Sequence, residues 1–264
     1  MLGKQKVIVS LTTISTRLPT LSAVVESLFN QTHKADHIVL NISLDSHLLD
    51  QGIRFEQLPE TIRKIAVAGE LEVYFCKNTG PYRKIMPVLE RFGDEDYFIA
   101  TADDDVLYPP EWLEVLLKTA LTHRCIAAYR CRLMQRAGSG FTPYGQWPLL
   151  RAEQTPLGMD ILPTGRDGVL YHASHFQDRE ALRALMALAP MQDDVALRFT
   201  TLASGMPVAV APRQLTSMPG DYEFHDASHT DEALWVLNYK GRNDQTISAC
   251  ADWVRQHRPV KLAV

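Results

Sequence analysis

Apolar and polar positions alternate along the chain in blocks that change period from strand-like to helix-like and back. Val7-Ile8-Val9 is a short apolar run that gives way to Ser10, Thr12 and Thr13, the pattern of a buried strand over 6–11 whose C-terminal end opens into a polar loop. After Pro19, apolar residues fall at Leu21, Val24, Val25 and Leu28. That i, i+3, i+4, i+7 spacing predicts a helix with one buried face. A second strand over 37–42, a polar segment over 45–59, a weak helix over 60–67 and a third strand over 71–76 follow. Asn78-Thr79-Gly80-Pro81 is turn chemistry opening a helix that runs toward Arg91, and Pro87 should kink or restart it.

Tyr97 to Ala100 reads as a fourth strand, and Pro109-Pro110-Glu111 starts a helix with Trp112, Val115, Leu116 and Ala120 on one side. A fifth strand is predicted over 125–130, and the Gly- and Pro-rich stretch 137–163 reads as a long irregular loop, a feature usually tied to function. A short strand over 168–171 precedes a helix carrying Leu182, Leu185, Met186 and Ala189. Asp193-Asp194 opens another helix, with Val195, Phe199 and Leu202 inward, Gly205 capping it, and a last strand over 207–211. Alternating strands and helices predict an α/β fold with a mostly parallel, Rossmann-like sheet covered on both faces, where ligands bind at the carboxyl ends of the strands. The sheet domain is expected to occupy 1–213, with 214–264 as a short helical tail of two helices packed on it.

Bulk numbers remove several function classes. With 264 residues, 46% hydrophobic, 22% charged and a formal net charge of -4, the chain has ordinary globular composition and no electrostatic footprint for nucleic acid. The N-terminal apolar run is too short for a signal-peptide core, and no window approaches the roughly 20 apolar residues that span a bilayer. A cytoplasmic location is therefore expected, with at most peripheral contact at the inner face of the membrane through the mixed apolar and basic ending Asp252 to Lys261. Four cysteines without CxxC spacing read as small core residues rather than a zinc site.

The chemistry concentrates at Asp103-Asp104-Asp105, directly after an apolar strand. Two unit charges about 5 Å apart at an effective dielectric near 20 repel by roughly 3 kcal/mol, so the triplet calls for a cation. Magnesium or manganese held by one or two carboxylates and substrate phosphates meets that need; the alternative is a solvated loop with one aspartate capping the next helix. An EF-hand is excluded by the missing glycine and the non-alternating oxygen ligands.

Five segments together resemble bacterial glycosyltransferases of the GT-A fold, near the family 2 group of capsule and lipopolysaccharide assembly. They are Ser10-Leu11-Thr12-Thr13 with Arg17, Asn78-Thr79-Gly80-Pro81 with Lys84, Ala102-Asp103-Asp104-Asp105 with Tyr108-Pro109, Gly168-Val169-Leu170-Tyr171, and Asp193-Asp194-Val195-Ala196-Leu197-Arg198. They arrive in the family's order across about residues 5–210. The resemblance implies a nucleotide-sugar donor, a saccharide or lipid-linked saccharide acceptor, and Mn2+ or Mg2+. It implies Ser10, Thr12, Arg17, Asn41, Asn78, Gly80, Lys84, Asp103 and Asp104 on the donor side, with Asp45 as a weaker ribose contact. It further implies Asp105 and Asp103 as metal ligands, and Asp194 as the base of an inverting transfer; the bland reading of the Asp193-Asp194 pair is a helix cap. Gly168, Asp193 and Trp147 are expected on the acceptor side, Trp147 by stacking on a sugar, although an aromatic in such a loop more often just pins it to the core. His225 or its neighbours could complete the metal site, although loop histidines without a role are the simpler account. A nucleotidyltransferase acting on sugar phosphates is the alternative enzyme, disfavoured by the absence of a Gly-rich loop after the first strand. A non-catalytic sugar-nucleotide or glycan-binding module would need the donor pocket but not Asp194.

Overall fold

The computed structural model describes residues 5–93, 95–138, 140–150, 157–212 and 242–258. Its centre is an eight-stranded mixed sheet in the order β3-β2-β1-β4-β11-β5-β12-β9. The strands are β1 (Val7–Thr12), β2 (His37–Ile42), β3 (Glu72–Phe75), β4 (Phe98–Ala102), β5 (Ile126–Ala128), β9 (Leu157–Gly158), β11 (Val169–His172) and β12 (Val208–Val210). β1, β2, β3 and β4 run parallel, as do β5 and β12. β11 enters between β4 and β5 antiparallel to both, and β9 is antiparallel to β12. The sequence pattern shows which runs are strands but carries no mark of direction, so the reversal of β11 is new information.

Helices cover both faces for the reason their spacing predicts. In α1 (Leu18–Phe29), Leu21, Val24, Val25 and Leu28 are all buried, each contributing about 2 kcal/mol by leaving water. They pack with α2 (Glu60–Val67) and α4 (Trp112–His123) on one face of the sheet. The other face is covered by α3 (Met86–Phe92), α5 (Arg179–Leu188) and α6 (Asp193–Ala203). The helix expected from Pro81 to Arg91 is broken as Pro87 requires: a 3-10 turn, Gly80–Lys84, precedes α3.

Stretch 137–163 is more ordered than a bare loop. β7 (Arg136–Ala137) pairs with β8 (Gly140–Phe141), and β10 (Ile161–Pro163) pairs antiparallel with β6 (Cys131–Leu133). In the tail, the described part is a single helix, α7 (Arg242–His257), longer than the two short helices expected. Ile247, Cys250 and Val254 pack it against residues of α5 and α6. Residues 213–241, with the sequence candidate His225, lie outside the described residues. No helix among the described residues is long and apolar enough to cross a membrane.

Candidate active site

The ends of β1 and β4, the 3-10 turn 80–84 and the start of α6 converge on one rim of the sheet. After β4, the Asp103 amide donates to the Tyr108 hydroxyl at 2.7 Å, and the Tyr108 ring packs on Trp112 with centroids 4.4 Å apart. After this tight return the three carboxylates divide between two cations. Asp103 is paired with Lys84 Nζ. Asp104 is buried and accepts from Arg17 Nη1 at 2.8 Å, and the same nitrogen lies 3.1 Å from Asp105 Oδ2. The two cations expected on the donor side thus both reach the acidic triplet.

Lys84 also feels Asp193 and Asp194. Burial works against its charge, but Asp103, then Asp193 and Asp194 outweigh that penalty and hold the ammonium above its ordinary value. Asp193 and Asp194 occupy the first turn of α6, where the exposed helix amides favour negative charge. Gln192, not an aspartate, stands at the N-cap, and it makes no side-chain cap bond. Asp194 Oδ1 instead accepts from the Gly165 amide at 2.9 Å. Burial, then the like charge of Asp193, pushes the Asp194 carboxyl up to about 8, against the pull of the Gly165 amide and Lys84. Asp193 is likewise raised, mainly by burial.

Five carboxylates (Asp103, Asp104, Asp105, Asp193 and Asp194) therefore share this rim with two cations, Arg17 and Lys84. Within the triplet, Asp105 is pushed up to about 6 by burial and then by Asp103 and Asp104. Among the described residues no group of three or more His, Cys, Asp or Glu side chains is placed to hold a metal ion by itself. An excess of negative charge with one under-compensated, partly buried carboxylate fits the open mode instead, in which a divalent ion takes one or two carboxylates and completes its shell with water and phosphate.

Several residues expected on the donor side have other work. Ser10 and Asn41 are fully buried. Asn41 Nδ2 donates to Ser10 Oγ at 2.9 Å, and the Thr12 hydroxyl donates to the Asn41 carbonyl at 2.7 Å. These side chains stitch β1 to β2 rather than reaching a ligand, and only Thr12 approaches the rim. Asn78 donates to the Asp45 carbonyl at 2.8 Å and to Asp50 at 3.2 Å, and Gly80 takes a positive φ of 62° beside His47; both shape the loop that presents Lys84. The Asp45 amide donates to Ser43 Oγ at 3.1 Å.

Of the two readings of Trp147, the structure supports the core anchor and not the stacking surface. It is 1% exposed, its indole N–H donates to the Thr142 carbonyl at 3.0 Å, and Phe141 and Tyr144 pack on it. Gly168 has a packing role: its φ is 93°, and a Cβ there would lie 2.5 Å from the Trp112 ring.

Three residues escaped the sequence reading. Asp50, 1% exposed, accepts from the Ser15 and Gly52 amides at 3.2 and 3.1 Å and pairs with Arg83 at 2.9 Å. Arg83, equally buried, also reaches the Thr13 carbonyl at 3.2 Å, so this pair ties the Lys84 turn to the loop after β1. Gly165 is the third, as the partner of Asp194. Asp50 and Gly165 sit in segments without hydrophobic period, and the partners range from two residues away, for Gly52 and Asp50, to 70, for Arg83 and Thr13, so spacing held no signal. Beside the same loops, Ser15, Thr16, Leu44, Gly52 and Arg54 line a cavity of about 360 Å³.

No family model and no curated protein matches the sequence. Among solved structures, S. aureus TarS 1-349 superposes with a TM-score of 0.51 at 13% identity, over 80% of this chain and 59% of that one. The fold is GT-A-like. TarS 1-349 in complex with UDP gives a TM-score of 0.49 at 12% identity, over 80% and 59% of the two chains. A 4-diphosphocytidyl-2C-methyl-D-erythritol synthase gives 0.48 at 16% identity, over 83% and 95%. The chain spans about three fifths of the TarS fragment. At these identities the GT-A-like fold is what is shared, and the chemistry has to come from the rim itself.

Proposed function

We propose that this chain is a glycosyltransferase that moves a sugar from a nucleoside-diphosphate sugar to a saccharide or lipid-linked saccharide acceptor, with Mn2+ or Mg2+ and with inversion. The observation that carries the reading is the meeting of Asp103, Lys84, Asp193 and Asp194 at one rim, which sets a diphosphate-binding half against a proton-accepting half. Arg17 and Lys84 supply positive charge for the diphosphate, and the cavity beside Ser15, Thr16 and Arg54 is of a size to take the nucleoside. Asp105, with Asp103, would hold the ion. The chemistry it supplies when bound is Lewis-acid stabilisation of the departing nucleoside diphosphate.

Asp194 is the base in this scheme. Its raised proton affinity makes it a stronger acceptor than an ordinary carboxylate, and near-neutral poise is what general-base catalysis favours. As the acceptor oxygen bonds to the anomeric carbon, its proton passes to Asp194 Oδ. The bond from the anomeric carbon to the diphosphate oxygen breaks, and its electron pair leaves with the nucleoside diphosphate. The Gly165 amide, 2.9 Å from Oδ1, fixes the carboxylate's orientation.

The test is incubation with manganese and a panel of nucleotide sugars, reading release of nucleoside diphosphate. Release is expected to stop with chelator and in Asp105→Asn, and transfer to fall by about 10²-fold or more in Asp194→Asn. Wild-type transfer in Asp194→Asn would remove the base assignment, and pyrophosphate as the product would identify a nucleotidyltransferase instead.

A further inference from the structure

Asp50 joins two parts of the donor side. Its Oδ1 accepts from the Ser15 and Gly52 amides at 3.2 and 3.1 Å, and both residues line the cavity of about 360 Å³. Its Oδ2 serves the chain that carries Lys84 instead: it accepts from Asn78 Nδ2 at 3.2 Å and lies 2.9 Å from Arg83 Nη2. Three N–H donors and a guanidinium fill the lone-pair directions of one carboxylate, so Asp50 acts through what it holds rather than on a ligand.

Arg83 carries that hold to Lys84. It is anchored at three points: Asp50, the Thr13 carbonyl just after β1 at 3.2 Å, and, through Nε, the Gly80 carbonyl at 3.3 Å. Arg83 and Lys84 are the last two residues of the 3-10 turn, whose successive side chains leave about 120° apart. Pinning Arg83 on the buried side therefore fixes the direction in which Lys84 leaves the turn to meet Asp103. Asp50 and Arg83 are each 1% exposed, and Arg83 Nη1 is buried without a hydrogen-bond partner among the described residues. Packing alone does not call for such a pair, since apolar side chains of similar volume are often as stabilising or more so. What the ion pair adds is direction, because a guanidinium and a carboxylate constrain angle as well as distance.

We propose that Asp50, acting through Arg83, is the positioning residue for Lys84: it locks the turn that aims the ammonium at the diphosphate to the wall of the nucleoside cavity. The identity of the ligand rests on the transfer reading; the control of Lys84 by Asp50 does not. Asp50→Asn separates the two halves of the link. Asparagine keeps an oxygen for the Ser15 and Gly52 amides but turns an NH2 group toward Asn78 and Arg83, so the cavity wall stays and the tie to the Lys84 turn is cut.

The first measurement needs no ligand: trace acetylation of the full chain with acetic anhydride, read by mass spectrometry at Lys84 against exposed Lys118. Lys84, paired with Asp103, is expected to react slowly in wild type. In Asp50→Asn it should react about 10-fold or more faster, the loss of one charge-assisted hydrogen bond, with Arg83→Lys between the two. Leu116→Ala, a cavity on the face covered by α1 and α2, weakens the fold elsewhere and should leave Lys84 slow. The second measurement is calorimetric titration with UDP, GDP, CDP and ADP in manganese, and with the free nucleoside of whichever binds tightest. In Asp50→Asn the advantage of that diphosphate over its nucleoside is expected to fall about 10-fold, with nucleoside affinity within about twofold of wild type.

Unchanged Lys84 labelling in Asp50→Asn, or equal acceleration in Leu116→Ala, overturns the inference. If Asp50→Asn does not fold by circular dichroism, the double variant with Arg83→Met, which leaves no uncompensated charge, is read in its place. Diphosphate binding whose advantage over the nucleoside survives in Asp50→Asn defeats the inference alone. Asp50-dependent labelling in a chain that binds none of the four diphosphates defeats the transfer reading and leaves the positioning link standing.

Discussion

Gly168→Ala tests the packing that supports the acceptor side of the rim. Gly168 has φ of 93°, outside the range that side chains accept, and an added methyl would lie 2.5, 2.6 and 2.7 Å from three atoms of the Trp112 indole. The strained backbone costs about 1–2 kcal/mol. The overlap adds about 1–3 kcal/mol, since overpacking is relieved only by moving neighbours, and Trp112 is fully buried and held by its bond to the Asp167 carbonyl at 2.8 Å. The sum is about 2–5 kcal/mol. In a chain of this size each kcal/mol lowers the midpoint by roughly 2–4 °C. The turn that must yield is the one carrying Gly165, because the Gly168 amide donates to the Gly165 carbonyl at 3.0 Å, so nucleoside diphosphate release should fall as well. Urea denaturation followed by tryptophan fluorescence, with the release assay alongside, measures both. A variant within about 0.5 kcal/mol of wild type would show that neither the backbone angle nor the indole contact constrains this turn.

Other expectations follow from the same geometry. Asp50→Ala leaves Arg83 buried and uncompensated and should cost about 3–5 kcal/mol; the double variant with Arg83→Met should recover part of it, a coupling that a denaturation cycle reads. Asp194, held up to about 8 in the fold and near 3.9 when unfolded, binds a proton more tightly in the folded state. Its contribution is fully present below about pH 4 and is lost as pH rises toward 8. With chelator present, the stability of Asp194→Asn relative to wild type should therefore climb over that window, and a flat difference across it would contradict the raised value. Gly165→Ala places a Cβ 3.0 Å from Asp194 Oδ1 and should shift the pH profile of transfer with little change in melting temperature. Trp147→Ala removes a buried anchor and should cost about 3–5 kcal/mol, seen as a lower urea midpoint.

Periodic elements could be read from the chain because burial writes itself into spacing. All four predicted inward positions of α1 are buried, and the break at Pro87 falls where a missing amide and a ring clash demand it. The acidic triplet was legible for a different reason: adjacent like charges after an apolar strand are costly enough to need a cause. What could not be read was pairing between aperiodic loops. Nothing local to Asp50 points to Arg83, and nothing local to Gly165 points to Asp194. Polar residues such as Ser10 and Asn41 likewise look the same in sequence whether they reach a ligand or join two strands, and an aromatic such as Trp147 looks the same whether it stacks on a sugar or fills a core.

One reversed strand sorts the neighbouring segments by consequence. Since β11 descends beside β4, Val169 lies opposite Thr101 and His172 opposite Phe98, so the chain visits the working edge before β11 and departs from the far edge after it. Changes at 164–168 should therefore be felt by the substrate, whereas exposed Ser174 and Gln177, at the far edge, are places to attach a label or a tether.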